Sequence, residues 1–211
     1  MVNKKHWWQF KKKNVRRQVY VKSNSRDLIN ESFRILRTKL DYFLKSTGES
    51  NKVIMLTSFN VGSGKSFISI NLAKALSLKG AKVLAIDFDL RHASLSDFAK
   101  HTDVGITSYL SNITDNIDEC IQHDAVGRGL DILPIGIIPP NPSELLLSDK
   151  MKPMFDKLRE EYDYIILDCP PIEIVADASI VKDCADVTLF IVRAGVMDRR
   201  ILKRRRRTLQ K

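Results

Sequence analysis

VIMLTSFNVGSGKSFISINLA, residues 53–73, opens on an unbroken apolar run, turns through two closely spaced glycines and continues with apolar residues at helical spacing. A run of large aliphatic residues without alternation suits a strand covered on both faces. Beyond the glycines, Ile68, Leu72, Ala75 and Leu76 share one face of a helix expected from Gly64 to Lys79 and closed by Gly80. Strand, glycine turn and helix in that order make a phosphate-binding loop. Gly62 and Gly64 let the backbone turn so that consecutive amides converge on one anion, at the positive end of the helix dipole. The expected cradle is Gly62, Ser63, Gly64, Lys65, Ser66 and Phe67. Lys65 offers a mobile charge to the β and γ oxygens of a nucleotide, and the Ser66 hydroxyl offers a ligand to Mg²⁺. The usual pattern G-x-x-x-x-G-K-[ST] is broken at its first position, where Phe59 stands.

Two further strand ends support the loop. In LAIDFDLR, residues 84–91, a buried run ends in Asp87 and Asp89, two residues apart and so on one side of a strand at its carboxyl end. In YIILDCPP, residues 164–171, an apolar run delivers Asp168 just before two prolines, the pattern of a Walker B carboxylate acting on Mg²⁺. Each aspartate alone is more often a loop cap. All three motifs at strand ends point to a nucleotide site, since open α/β sheets bind ligands at their carboxyl edge. LDILPI (130–135) and VTLFIV (187–192) add two apolar runs, and helical patterns fall at 27–45 and 143–160. The expected fold is α/β and P-loop NTPase-like, with a mostly parallel central sheet flanked by helices on both faces.

The net charge of +10 is unevenly distributed. Residues 1–22 carry eight Lys or Arg and no acid, as do residues 199–211, leaving 19 basic against 25 acidic residues between them. The expected division is a basic arm at 1–22, a P-loop domain at 23–198 and a basic tail, or cut end of the domain, at 199–211. HWWQF between lysines in the arm suits an anionic membrane surface, where indole rings and lysine are both favoured. Little aromatic interleaving and no DNA-reading motif accompany the basic tail, which argues against nucleic acid. Cys120, Cys169 and Cys184 are scattered and odd in number, so neither a disulfide framework nor a clustered metal site is expected and a cytoplasmic setting is favoured.

Five stretches together resemble the cytoplasmic domain of the bacterial tyrosine kinases (BY-kinases), which regulate capsule and exopolysaccharide assembly: ESFRILR (31–37), SFNVGSGKS (58–66), IDFDLR (86–91), PPNPSELL (139–146) and ILDCPP (166–171). The related positioning ATPases begin their loop with a signature lysine, and Asn60 occupies that place here. The resemblance implies an ATP- and Mg²⁺-dependent protein tyrosine kinase working at the inner face of the cell membrane beside a membrane-bound polysaccharide co-polymerase that activates it. It implies Asp87 as the general base for the tyrosine hydroxyl, Asp89 and Asp168 with Ser66 around Mg²⁺, and Lys65 on the phosphates. It also implies a ring of subunits joined through Glu31, Arg34 and Arg37. Ser63 stands where these kinases commonly carry glutamate, and no tyrosine follows Tyr164, so the family's tyrosine-rich tail is missing from these residues. Tyr20 in the basic arm is then the expected exposed acceptor. The alternatives are an ATP-binding regulatory subunit without kinase activity and a positioning-type ATPase.

Overall fold

The computed structural model describes residues 18–46, 52–172 and 177–196. Its first element, α1 (Leu28–Lys45), starts where Asp27 caps it, the carboxylate accepting from the Asn30 amide at 2.9 Å. One face of α1 buries Phe33, Leu40 and Leu44, each worth about 1.5–3 kcal/mol of apolar burial. After it come β1 (Lys52–Ser58), α2 (Lys65–Ser77), β2 (Val83–Asp87), α3 (Ile106–Leu110), β3 (Leu130–Leu133), α4 (Pro142–Leu146), α5 (Met151–Glu161), β4 (Tyr164–Asp168), α6 (Asp177–Lys182) and β5 (Val187–Ile191).

The strands form one parallel sheet in the order β3-β2-β4-β1-β5. The connection from β1 to β2 skips the place filled by β4, and that from β4 to β5 skips β1. The connections out of β1 and β4 therefore run in opposite directions, and this opens a crevice at the carboxyl ends of those two strands. Ile54, Leu56, Ala85 and Ile166 face α2 and α1, with Leu72, Leu76, Phe33 and Leu40 packed on them. Met55, Leu84, Ile86 and Leu167 face the other way, onto Met154, Phe155 and Leu158 of α5. Both faces are covered, as continuous apolar strands require.

One expectation is corrected. The helical pattern at 143–160 is two helices, interrupted between Leu146 and Met151. Pro153 lies in the first turn of α5, where its missing N–H leaves no hydrogen bond unmade, but it could not sit inside one long helix without breaking it. The end of the basic arm, residues 18–22, is docked on the domain. The side-chain oxygen of Asn71, buried in α2, accepts from the Tyr20 and Val21 amides at 2.8 and 3.0 Å, and Val21 is buried. Residues 1–17 and 199–211, and with them HWWQF and the basic tail, lie outside the described residues.

Candidate functional site

The loop between β1 and α2 is held by a ring contact and by hydroxyl-to-carbonyl bonds. Phe59, in place of the usual glycine, is buried and stacks on Phe190 of β5 with ring centroids 5.3 Å apart. It anchors the strand exit to the neighbouring strand, so the substitution serves packing. The hydroxyls of Ser58 and Ser63 both donate to the Asn60 carbonyl at 2.7 Å. Gly62 and Gly64 adopt φ of 71° and 92°, a left-handed backbone that only glycine enters without strain. α2 then begins at Lys65, whose side chain is buried, with Ser66 half-buried beside it. Phe67 turns away from the loop and packs on Tyr20 and Phe33 at 5.5 and 6.0 Å, so what it offers an anion is its backbone.

The acids follow from the sheet. β4 lies between β1 and β2, so Asp168 pairs with Leu56 on one side and with Asp87 on the other. Paired residues of parallel strands point to the same face, and both carboxylates accordingly lie on the α2 side, fully buried. Asp168 accepts from Ser69 of α2 at 3.0 Å through Oδ1, while its Oδ2 is buried with no hydrogen-bond partner among the described residues. Asp87 is better satisfied: Oδ2 accepts from the amide and the hydroxyl of Ser96, both at 2.8 Å, and Oδ1 accepts from the Asp89 amide at 3.1 Å. Asp89 completes the turn, its carbonyl accepting from His92 and Ala93 and its carboxylate lying 3.1 Å from the His92 ring.

Burial raises the pKa of both Asp87 and Asp168 above the usual carboxylate range. For Asp87 the charge of Asp168 adds to the rise, and the Ser96 hydrogen bonds oppose it. For Asp168 the hydroxyls of Ser66 and Ser69 and the charge of Lys65 pull the other way. Two buried carboxyls side by side, one with an orphaned oxygen, are what a site awaiting positive charge requires. Among the described residues no three carboxylate, imidazole or thiol groups converge to hold a cation alone. Phosphate oxygens and the Ser66 hydroxyl would have to complete its shell, which is the way Mg²⁺ is commonly held with nucleotides.

The family model described as an AAA domain matches residues 51–192. The tyrosine-protein kinase CpsD of Streptococcus agalactiae serotype III (strain NEM316) is 34% identical over 182 residues, covering 85% of this chain and 76% of that protein. The chain belongs to the bacterial tyrosine kinase family. The tyrosine-protein kinase etk of Escherichia coli (strain K12) is 36% identical over 174 residues, but there the match spans 82% of this chain and only 23% of the relative. The solved kinase domain of the Escherichia coli tyrosine kinase ETK superposes with a TM-score of 0.76 at 34% identity, covering 84% of this chain and 69% of that one.

Of the five stretches that carry the BY-kinase resemblance, four meet at the carboxyl edge of the sheet. PPNPSELL reaches it through Ser143, whose hydroxyl accepts from Arg91 at 3.3 Å. ESFRILR lies instead on α1: Glu31 and Arg34 pair at 3.1 Å, and Arg37 donates to the Ala75 carbonyl at 2.7 Å while its Nε is buried with no hydrogen-bond partner among the described residues. Three supporting residues, Ser69, Ser96 and Asn71, escaped the sequence reading. Only Ser69 had a readable signal, one helical turn beyond Lys65 on the same face. Among the tyrosines, Tyr42 on α1 is 82% exposed against 48% for Tyr20, so the expectation that Tyr20 is the most exposed is overturned. Tyr109 and Tyr162 are buried, and the Tyr164 hydroxyl donates to Asp41 at 3.0 Å. No helix among the described residues is long and apolar enough to cross a membrane.

Proposed function

We propose that this chain is a kinase domain that transfers the γ-phosphoryl group of ATP to protein tyrosine, in the service of capsular or extracellular polysaccharide assembly. The observation that carries the reading is the row formed by Asp87 and Asp168, two buried carboxyls on one face beside a lysine-bearing phosphate loop. Lys65 neutralises charge on the β and γ oxygens as the bond to the leaving oxygen lengthens. Ser66 and the orphaned side of Asp168 would hold Mg²⁺, which would supply the remaining positive charge. Asp89 adds negative charge at the same edge and, through its amide, fixes the Asp87 carboxylate.

A phenol with a pKa near 10 is a weak nucleophile at neutral pH, so its proton needs a destination. Oδ1 of Asp87 accepts a single hydrogen bond and Oδ2 accepts two, which leaves Oδ1 the oxygen with room for that proton. Its raised pKa brings it closer to the working pH than an ordinary carboxylate, the condition for efficient general base action. As the phenolic oxygen bonds to the γ-phosphorus, the bond to the β–γ bridging oxygen breaks, ADP departs with that electron pair, and the proton passes to Asp87.

The same reading includes a homo-oligomer formed through α1. Leu28, Ile35 and Tyr42 recur every seven residues on its outer side and are exposed at 83, 48 and 82%, beside the Glu31–Arg34 pair. Such a stripe on a surface helix suits a neighbouring subunit. It also includes a membrane-bound activator, and both are tested with the reaction. Purified chain incubated with Mg·ATP, alone and with the cytoplasmic segment of a candidate activator, is expected to gain mass in 80 Da steps, characteristic of phosphorylation, and to react as phosphotyrosine. Lys65→Met and Asp87→Asn should gain none. ATP hydrolysis with no protein-bound phosphate under either condition would sink the kinase assignment.

A further inference from the structure

We infer that Arg193, just past the end of β5, is a positioning residue that locks the phosphate loop in its anion-binding conformation. The inference rests on the nucleotide reading of the site. The Arg193 guanidinium donates through Nη1 to the Gly62 carbonyl at 3.3 Å. In a trans peptide the C=O of one residue and the N–H of the next point in opposite directions. A Gly62 carbonyl drawn outward to Arg193 therefore turns the Ser63 N–H inward, toward the place an anion would occupy. The peptide between Gly62 and Ser63 is free to flip without such a tie, because Gly62 at φ 71° has no Cβ and a Cβ built there would meet nothing.

The tie belongs to a pattern. The Asn60 carbonyl is also held, by the hydroxyls of Ser58 and Ser63, and Phe59 is stacked on Phe190 in the strand that leads to Arg193. These restraints act on carbonyls and on a ring, leaving the amides for the ligand. Arg193 also lines a groove between the loop and the β5 exit, together with Asn60, Ser63, Val192 and Val196. Arg193 is exposed, so removing it leaves the core intact.

A loop lock acts on phosphate binding whatever the nucleobase, whereas a contact to the base does not. Dissociation constants of the whole chain for Mg·ATP, Mg·GTP and Mg·tripolyphosphate should be compared for the parent, Arg193→Ala and Arg193→Gln by titration calorimetry. The expected result is an equal loss of about tenfold for all three ligands in Arg193→Ala, the scale of one hydrogen bond to a charged group. The Ser63 amide resonance of the unliganded variant should shift as well, while the melting temperature stays within about 2 °C of the parent's. Unchanged constants, or a loss confined to ATP, would overturn the inference. A parent chain that binds none of the three would instead remove the nucleotide reading beneath it, and the inference with it.

Discussion

Asn71→Ala isolates the tie between the N-terminal strap and the P-loop helix. The Asn71 side chain sits at zero exposure in α2. Its oxygen accepts from the Tyr20 and Val21 amides at 2.8 and 3.0 Å, and its nitrogen donates to the Phe67 carbonyl at 2.8 Å. Alanine removes all three bonds. The Val21 amide, which is buried, has no water to turn to, and an unsatisfied buried donor costs about 1–3 kcal/mol. The Tyr20 amide is partly exposed and recovers part of its loss from solvent. The Phe67 carbonyl keeps its intrahelical bond, and alanine gains about 0.5 kcal/mol of helix propensity over asparagine. The net expectation is a loss of about 2 kcal/mol, which for a domain of this size is a fall in melting temperature of about 4–8 °C. Circular dichroism melts measure it, and hydrogen exchange of the Tyr20 and Val21 amides locates it. Asn71→Asp keeps both accepted bonds but sets a buried carboxylate oxygen against the Phe67 carbonyl, so it should be at least as unstable while the two amides remain protected in the native state. An alanine variant that melts with the parent, or whose Tyr20 and Val21 amides exchange no faster, would refute the reasoning.

Asp87 and Asp168 have folded pKa values raised above those of the unfolded chain, so the stability they contribute is complete below the ordinary carboxylate pKa and is lost as pH rises through their raised values. The ligand-free parent should therefore lose more melting temperature between pH 5 and pH 8 than Asp168→Asn does, and parallel curves would count against the buried pair. Gly105→Ala should destabilise by about 3 kcal/mol, as read from urea midpoints, because its Cβ would meet backbone atoms of Pro134, Ile135 and Gly136 at 2.4 Å. Ser69→Ala strips Asp168 of the hydroxyl that donates to its Oδ1 at 3.0 Å, and should lower stability by about 1–2 kcal/mol in the same urea assay while weakening Mg·ATP binding.

The loop and the two acidic strand ends were legible because each is local. Gly62, Gly64, Lys65 and Ser66 are contiguous, and Asp87 and Asp168 each close an apolar run, so strand ends could be recognised without knowing which strands are neighbours. What joins them was not legible. That β4 lies between β1 and β2 is a property of the whole sheet, and only this order sets Asp87 beside Asp168. Asn71 looks like a polar blemish in an apolar helix until the amides it serves, fifty residues away, are brought to it. Ser96 likewise has no motif, since its partner Asp87 is nine residues back across an irregular turn. The break before α5 was available in Pro153 and was overridden by apolar spacing that continues across it.

Phe59 shows how far a motif can bend when its function is met another way. The leading glycine of a phosphate loop permits a close turn at the strand exit, and a buried phenylalanine cannot do that. Here the ring is a peg in the wall formed with Phe190, and the turn is deferred to Gly62 and Gly64, whose left-handed φ values supply it. The anchoring also ties the loop to β5, an edge strand of the described sheet whose residues are only half-buried. Loop geometry is then coupled to how well that edge is packed.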